Sequence, residues 1–241
     1  MNCLLALLLS RLLAPVLSLL CLSDLLLVPA EVRSEDAVVL HPLKTTALTQ
    51  LDSLLPSGTH LLIERSAIEA FLTALDGAPP DWAAVYGSGH HDPGHDERLF
   101  NLNRERDAAR EGNPALNRQV AFVWTGELSQ FDPETKGYSV AVGPEFTATS
   151  WGMVRFKPEE LPSNLRVKPD NTLADLISRR LARHEKVHVI VVMAGALSPS
   201  ESIIYDFSHD EEGVGMIMPM VRIEHVEVVL RNSHVPRYLR R

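Results

Sequence analysis

Residues 172–193 read TLADLISRRLARHEKVHVIVVM, and two periods meet in them. Up to Leu181 the apolar positions Leu173, Leu176, Ile177 and Leu181 recur at three- and four-residue spacing. That is the stripe of an amphipathic helix, with Thr172 placed to cap it. From Val187 to Met193 the run is β-branched. Val and Ile lose side-chain freedom in a helix and pack well on a pleated sheet, so this run suits a buried strand. The point at which one period gives way to the other decides the fold. A helix ending near Glu185 makes the segment a helix followed by a strand; a helix carried through His188 makes it something else.

The surrounding order favours the first. Val120–Leu128 alternates and carries Phe122 and Trp124, and a turn at Asp132, Pro133, Lys136 and Gly137 separates it from Tyr138–Val142. A further strand is expected over Thr149–Phe156, stopping at Pro158. After the helix come Val187–Met193, Ile203–Phe207 and Val221–Leu230. Three strands, a helix and then further strands is the order of a five-stranded OB barrel. Gly126, Gly152 and Gly195 stand where a small barrel needs bends or close backbone approach. Residues Ile203–Gly213 would extend from it as a hairpin arm.

Upstream the texture changes. Leu48, Leu51, Leu54 and Leu55 follow helical spacing until Pro56, Ser57 and Gly58, and His60–Ile63 reads as a short strand. Ser66 is placed to cap a helix over Ala67–Leu75, ended by Asp76, Gly77 and the Pro79–Pro80 pair. Trp82, Val85 and Tyr86 are expected core anchors. A polar loop over Gly87–Gly94 leads into a charged helix over Asp96–Arg110, with Leu99, Leu102, Arg106 and Arg110 near one half-exposed face. A break near Gly112, Asn113 and Pro114 divides a helix-rich region, 31–118, from an OB-like β-rich domain, 119–230, with a basic tail at 231–241. The expected fold class is therefore α+β: a helical N-terminal part followed by a strand-rich OB-like small barrel.

The first 30 residues stand apart. Met1–Leu27 is almost wholly apolar, Val28 and Ala30 are small residues around Pro29, and a charged stretch from Glu31 follows. This is the pattern of a cleaved signal peptide, and it places the mature protein in a periplasmic or extracellular space. The basic n-region is weak, with Arg11 alone, so an uncleaved membrane anchor is the alternative. Both cysteines, Cys3 and Cys21, lie in this leader, which leaves the mature chain without disulfides, thiolate metal ligands or a Cys nucleophile. A net charge of −8 disfavours nucleic-acid partners, whose phosphates need a basic surface. No G-x-S-x-G elbow and no Gly-rich phosphate loop occurs.

Three clusters invite chemistry. His184-Glu185-Lys186-Val187-His188 spells H-E-x-x-H; on one helix His184 and His188 would hold zinc and Glu185 would act as general base. The β-branched run argues against that helix, as does Lys186 inside the motif. His90, His91 and His95, with Asp92 and Asp96, are candidate metal ligands in a loop that Pro93 and Gly94 keep from being one helix face. Asp206, Ser208, His209, Asp210, Glu211 and Glu212 offer oxygen ligands to calcium but lack the glycine and glutamate of an EF-hand, so a polar hairpin tip is expected. Arg179, Arg180, Arg183 and Lys186, with Arg237, Arg240 and Arg241, read as solvated faces. The leading expectation is an exported, non-catalytic binding or envelope-associated protein with an unknown ligand or envelope partner and no cofactor. A zinc-dependent hydrolase using the HEKVH segment is the alternative.

Overall fold

A computed structural model describes residues 38–42, 47–89, 92–161, 165–199, 201–208 and 213–231. These all fall within the unit Ser34–Arg241. The first elements are β1 (Val38–Pro42), α1 (Ala47–Ser53), β2 (His60–Leu61), α2 (Arg65–Asp76), α3 (Trp82–Tyr86) and α4 (His95–Arg110). After a 3-10 turn over Pro114–Asn117 come β3 (Gln119–Asp132), β4 (Gly137–Gly143), β5 (Thr147–Thr149), β6 (Gly152–Val154) and β7 (Lys157–Pro158). The chain continues through β8 (Arg166–Lys168), α5 (Asn171–Ala182), β9 (His188–Leu197), β10 (Ile203–Phe207) and β11 (Gly215–Leu230).

Six of these strands close on themselves. The hydrogen-bonded path runs β1-β8-β4-β3-β9-β11, and β11 pairs back to β1, so the wall is a closed six-stranded barrel in an α+β, strand-rich fold. The pairs β3–β4, β3–β9, β9–β11 and β4–β8 are antiparallel, whereas β1 lies parallel to both β8 and β11. Along β3 and β9 successive side chains alternate between two cores. Val120, Phe122, Trp124, Val189, Val191 and Met193 belong to the larger, interior one. Ala121, Ile190, Val192 and Ala194 pack outside the wall with Leu51 of α1 and the partly buried Leu54, Leu55, Leu61 and Ile63. Burial on both faces is why β9 reads as an unbroken apolar run rather than an alternating one.

Two glycines mark places where neighbouring strands of the wall leave no room for a side chain. A Cβ on Gly126 would stand 2.9 Å from Val189 Cγ2 and 3.0 Å from Val140 Cγ1. One on Gly195 would run into the carbonyl oxygen of Arg222, beside the bulge between Ile223 and His225.

The strand expected over Thr149–Phe156 takes a different form. It is split into β5 and β6 around a turn, with Gly152 at φ 125° and Thr149 Oγ1 donating to the Gly152 carbonyl at 2.8 Å. These strands join β10 and the first half of β11 in an extension beside the barrel, and β8 occupies the barrel position in their place. Helix caps also differ from expectation. The α2 helix begins at Arg65, so Ser66 lies inside it, and α5 is capped by Asp170, whose carboxylate accepts from the Leu173 N–H at 2.8 Å. An ionised acceptor at the positive helix end outcompetes the neighbouring Thr172 hydroxyl.

Candidate functional site

The HEKVH segment straddles the junction of α5 and β9. The helix ends at Ala182, and His184 takes a left-handed conformation at φ 58°. The Glu185 N–H reaches back to the Arg180 carbonyl (3.0 Å) and the His184 N–H to the Leu181 carbonyl (2.9 Å). This pair of bonds is a Schellman closure, with His184 where glycine usually stands. His188 lies four residues on at the start of a strand, exposed, in register with Glu127. His184 and His188 therefore share no helical face. Glu185 Oε1 lies 3.6 Å from Arg183 Nη1, and Lys186 pairs with Glu127 at 3.0 Å.

Of the histidine loop, His90 and His91 lie outside the described residues, as do the leader over residues 1–30, residues 209–212 and the tail 232–241. His95 opens α4. Its Nδ1 donates to the Asp92 carbonyl (2.6 Å), Nε2 is 3.1 Å from Asp96 Oδ1, and the ring packs 5.2 Å from that of Phe207. Asp92 accepts from the backbone N–H groups of Ser88 (3.0 Å) and Gly94 (2.9 Å) and pairs with Arg98 (3.0 Å). These contacts hold its carboxyl well below the usual carboxylate range, the Ser88 N–H contributing most. The loop's acid thus ties α3 to α4. Among the described residues no group of three or more His, Cys, Asp or Glu side chains is arranged to hold a metal ion. No helix among them is long and apolar enough to cross a membrane.

Two features carried no clear sequence signal. The first is a buried ionic knot between α2, α4 and β10. Arg110 donates through Nε to Asp76 Oδ1 (2.5 Å) and through Nη2 to Oδ2 (2.9 Å), with side chains 1% and 0% exposed. The Tyr205 hydroxyl donates to Asp76 Oδ2, and the guanidinium carbons of Arg106 and Arg110 lie 5.8 and 5.5 Å from the Tyr205 ring centre. Burial works against the Arg110 charge, but the hydrogen bonds and charge of Asp76 more than restore it and raise its pKa. Burial, then the Asp76 carboxylate, push the Tyr205 phenol well above its ordinary value. Every polar group here faces another, which makes the knot a fastening between elements.

The second is a cleft in the barrel wall. β8 pairs with β4 at Tyr138 and Ser139, and the Val140 N–H reaches the Leu165 carbonyl at 2.9 Å. Beside that short ladder a cavity of about 230 Å³ is lined by Ser139, Val140, Val142, Leu161, Leu165, Val191 and Met193. Its floor, Val191 and Met193, is part of the interior core, while Leu161 at its rim is 53% exposed. Among the described residues one hydroxyl, that of Ser139, stands among six aliphatic or thioether side chains, and this lining selects apolar contact.

Compared with protein-family models, with curated proteins and with solved structures, the chain has no significant match.

Proposed function

We propose that this is an exported, non-catalytic binding protein whose barrel is OB-like and takes a small apolar ligand in the cleft beside β4. The cleft carries the reading. An engineered apolar cavity of about 150 Å³ takes up benzene, so a similar lining around a somewhat larger volume has room for a substituted ring or a short branched chain. The OB-like assignment rests on strand order. β3, β4 and β8 follow one another in an antiparallel meander, α5 comes next, and β9 and β11 complete the wall. That is the succession of the five OB strands with a helix between the third and fourth, to which β1 is added. In such barrels oligonucleotides and oligosaccharides meet the face of the second and third strands, and the cleft here opens beside the second, β4. Export rests on the leader at residues 1–30 and predicts a mature N-terminus at or within a few residues of Glu31.

The test is ligand-detected NMR of the purified chain with a panel of aryl and alkyl probes, beginning with indole. Saturable binding is expected, lost in Val142→Phe, which fills the cleft from its partly exposed wall, and in Ser139→Trp at its rim. Both variants should keep the native circular dichroism spectrum. A panel without binders, or binding unchanged in both variants, would remove the cleft from the function.

A further inference from the structure

We propose that Val38–Pro42 is a detachable closing strand, and that the slot it occupies between β8 and β11 is an acceptor site for an extended segment of the same pattern. The path β8-β4-β3-β9-β11 is continuous without β1; only closure of the ring depends on it.

Its hold on the two edges is slight. Against β11 it sets Leu40, His41 and Pro42 opposite Val228, Val229 and Leu230, and against β8 it sets Val38 and Val39 opposite Val167 and Lys168. Both ladders are parallel, the less stable pairing per residue. Pro42 has no N–H to give to either. By contrast the β9–β11 ladder runs from Leu197 opposite Val221 to Val189 opposite Leu230. Only Leu40 of the strand is fully buried, and Val39 is 58% exposed.

What the slot lacks in area it supplies in pattern. Leu40 enters the interior core beside Val228 and Val167. One position further, His41 Nε2 donates to Glu227 Oε2 at 2.9 Å, the other oxygen of that carboxylate lying 3.1 Å from His225 Nε2. Gln50 Nε2 of α1 donates to the Pro42 carbonyl at 2.8 Å and fixes the end of the strand. An apolar residue followed by a hydrogen-bond donor to Glu227, on extended backbone, is therefore what the slot reads. When β1 leaves, β8 and the end of β11 become two facing sheet edges with unpaired backbone groups, the arrangement that recruits a strand.

The full chain tests this in two ways. By hydrogen exchange the amides of residues 38–41 should exchange together, roughly 100-fold faster than those of Val189–Val192, as a locally opening unit does. Equal protection in the two strands overturns the proposal. In a second form of the chain a protease site is placed within residues 43–46 and cut after folding. The freed N-terminal fragment should then be displaced by excess labelled peptide with the sequence of residues 36–42, and not by the same peptide carrying Leu40→Asp. A cut chain that loses its native spectrum, or a fragment that never exchanges, also overturns it, because closure would then be integral to the barrel.

Discussion

Replacing Asp76 by Asn keeps the shape of the buried knot and removes its charge. Arg110 would be left with its guanidinium 1% exposed, the neutral Asn oxygen in place of a carboxylate, and two acceptors besides: Asp107 at 2.7 Å, itself 52% exposed, and the Ile203 carbonyl at 3.4 Å. Removing one partner of a buried pair strands the other charge in a poorly polarisable interior and costs about 3–5 kcal/mol. The Tyr205 hydroxyl also loses a charged acceptor, although the Asn carbonyl oxygen can take part of that role. A loss of about 4 kcal/mol is expected, a large part of the 5–15 kcal/mol typical of a domain. Tyr205→Phe, which deletes one hydrogen bond to a charged group, should cost about 2 kcal/mol.

Urea unfolding followed by Trp fluorescence measures both. With a denaturant slope of about 2.5 kcal/mol per molar, the Asp76→Asn midpoint should fall by about 1.5 M. The triple variant Asp76→Leu, Arg110→Met, Tyr205→Phe supplies the control, since replacing a whole buried ionic group by apolar residues is often close to neutral. It should be more stable than Asp76→Asn alone. A fall of less than about 0.5 M in the single variant would mean that water or Asp107 solvates Arg110 after all. A triple variant less stable than the single would refute the reasoning from stranded charge.

Three further outcomes follow from local geometry. His184→Gly should raise stability by about 1 kcal/mol, because the left-handed position closing α5 costs a residue with a Cβ; an unchanged or lower urea midpoint would count against the Schellman closure. Gly195→Ala should lose about 3 kcal/mol or fail to fold, since its Cβ has no place against the Arg222 carbonyl; a variant that unfolds like the parent would mean the β9–β11 bulge can move. Glu69, held by the Ser150 N–H and Arg65, has its pKa lowered from 4.5 to about 2. A depressed folded pKa gives stability that is present above about pH 4.5 and is lost as pH falls towards 2. The gap in urea midpoint between the parent and Glu69→Gln should therefore close across that window, and a gap constant with pH would contradict it.

The barrel could be read from the sequence where burial imposed a period. β3, β4 and β9 were legible because Phe122 and Trp124 alternate with smaller residues and because the Val187–Met193 run is too β-branched for a helix. The same run marks the end of the helix, and a strand beginning at His188 shares no helix face with His184. The short strands carry no such period. β1 is five residues ending in proline, and β8 is three residues just ahead of Pro169. Neither is long enough for a period to show, and both are strands only because the barrel edges on either side supply their partners. Propensity took Thr149–Phe156 as one strand, whereas the positive φ at Gly152 makes it a hairpin.

Sites obey a different logic from folds, which is why the chemically loudest motifs and the features the structure singles out do not coincide. Histidines near carboxylates attract the eye in a sequence, yet His95 and Asp92 turn their polar atoms toward their own loop and helix, and His184 serves as a helix closure. The cleft is silent in sequence because its described lining residues come from β4, β9 and the segment around Leu161 and Leu165, and none taken alone marks a site. They meet where β4 runs on past its pairing with the shorter β8. A strand-length mismatch is a property of pairing, and pairing joins residues far apart in the chain. On the proposed binding role, the informative substitutions are those that change volume at Val142 and Ser139, and variants at His184 or Glu185 should leave probe binding untouched.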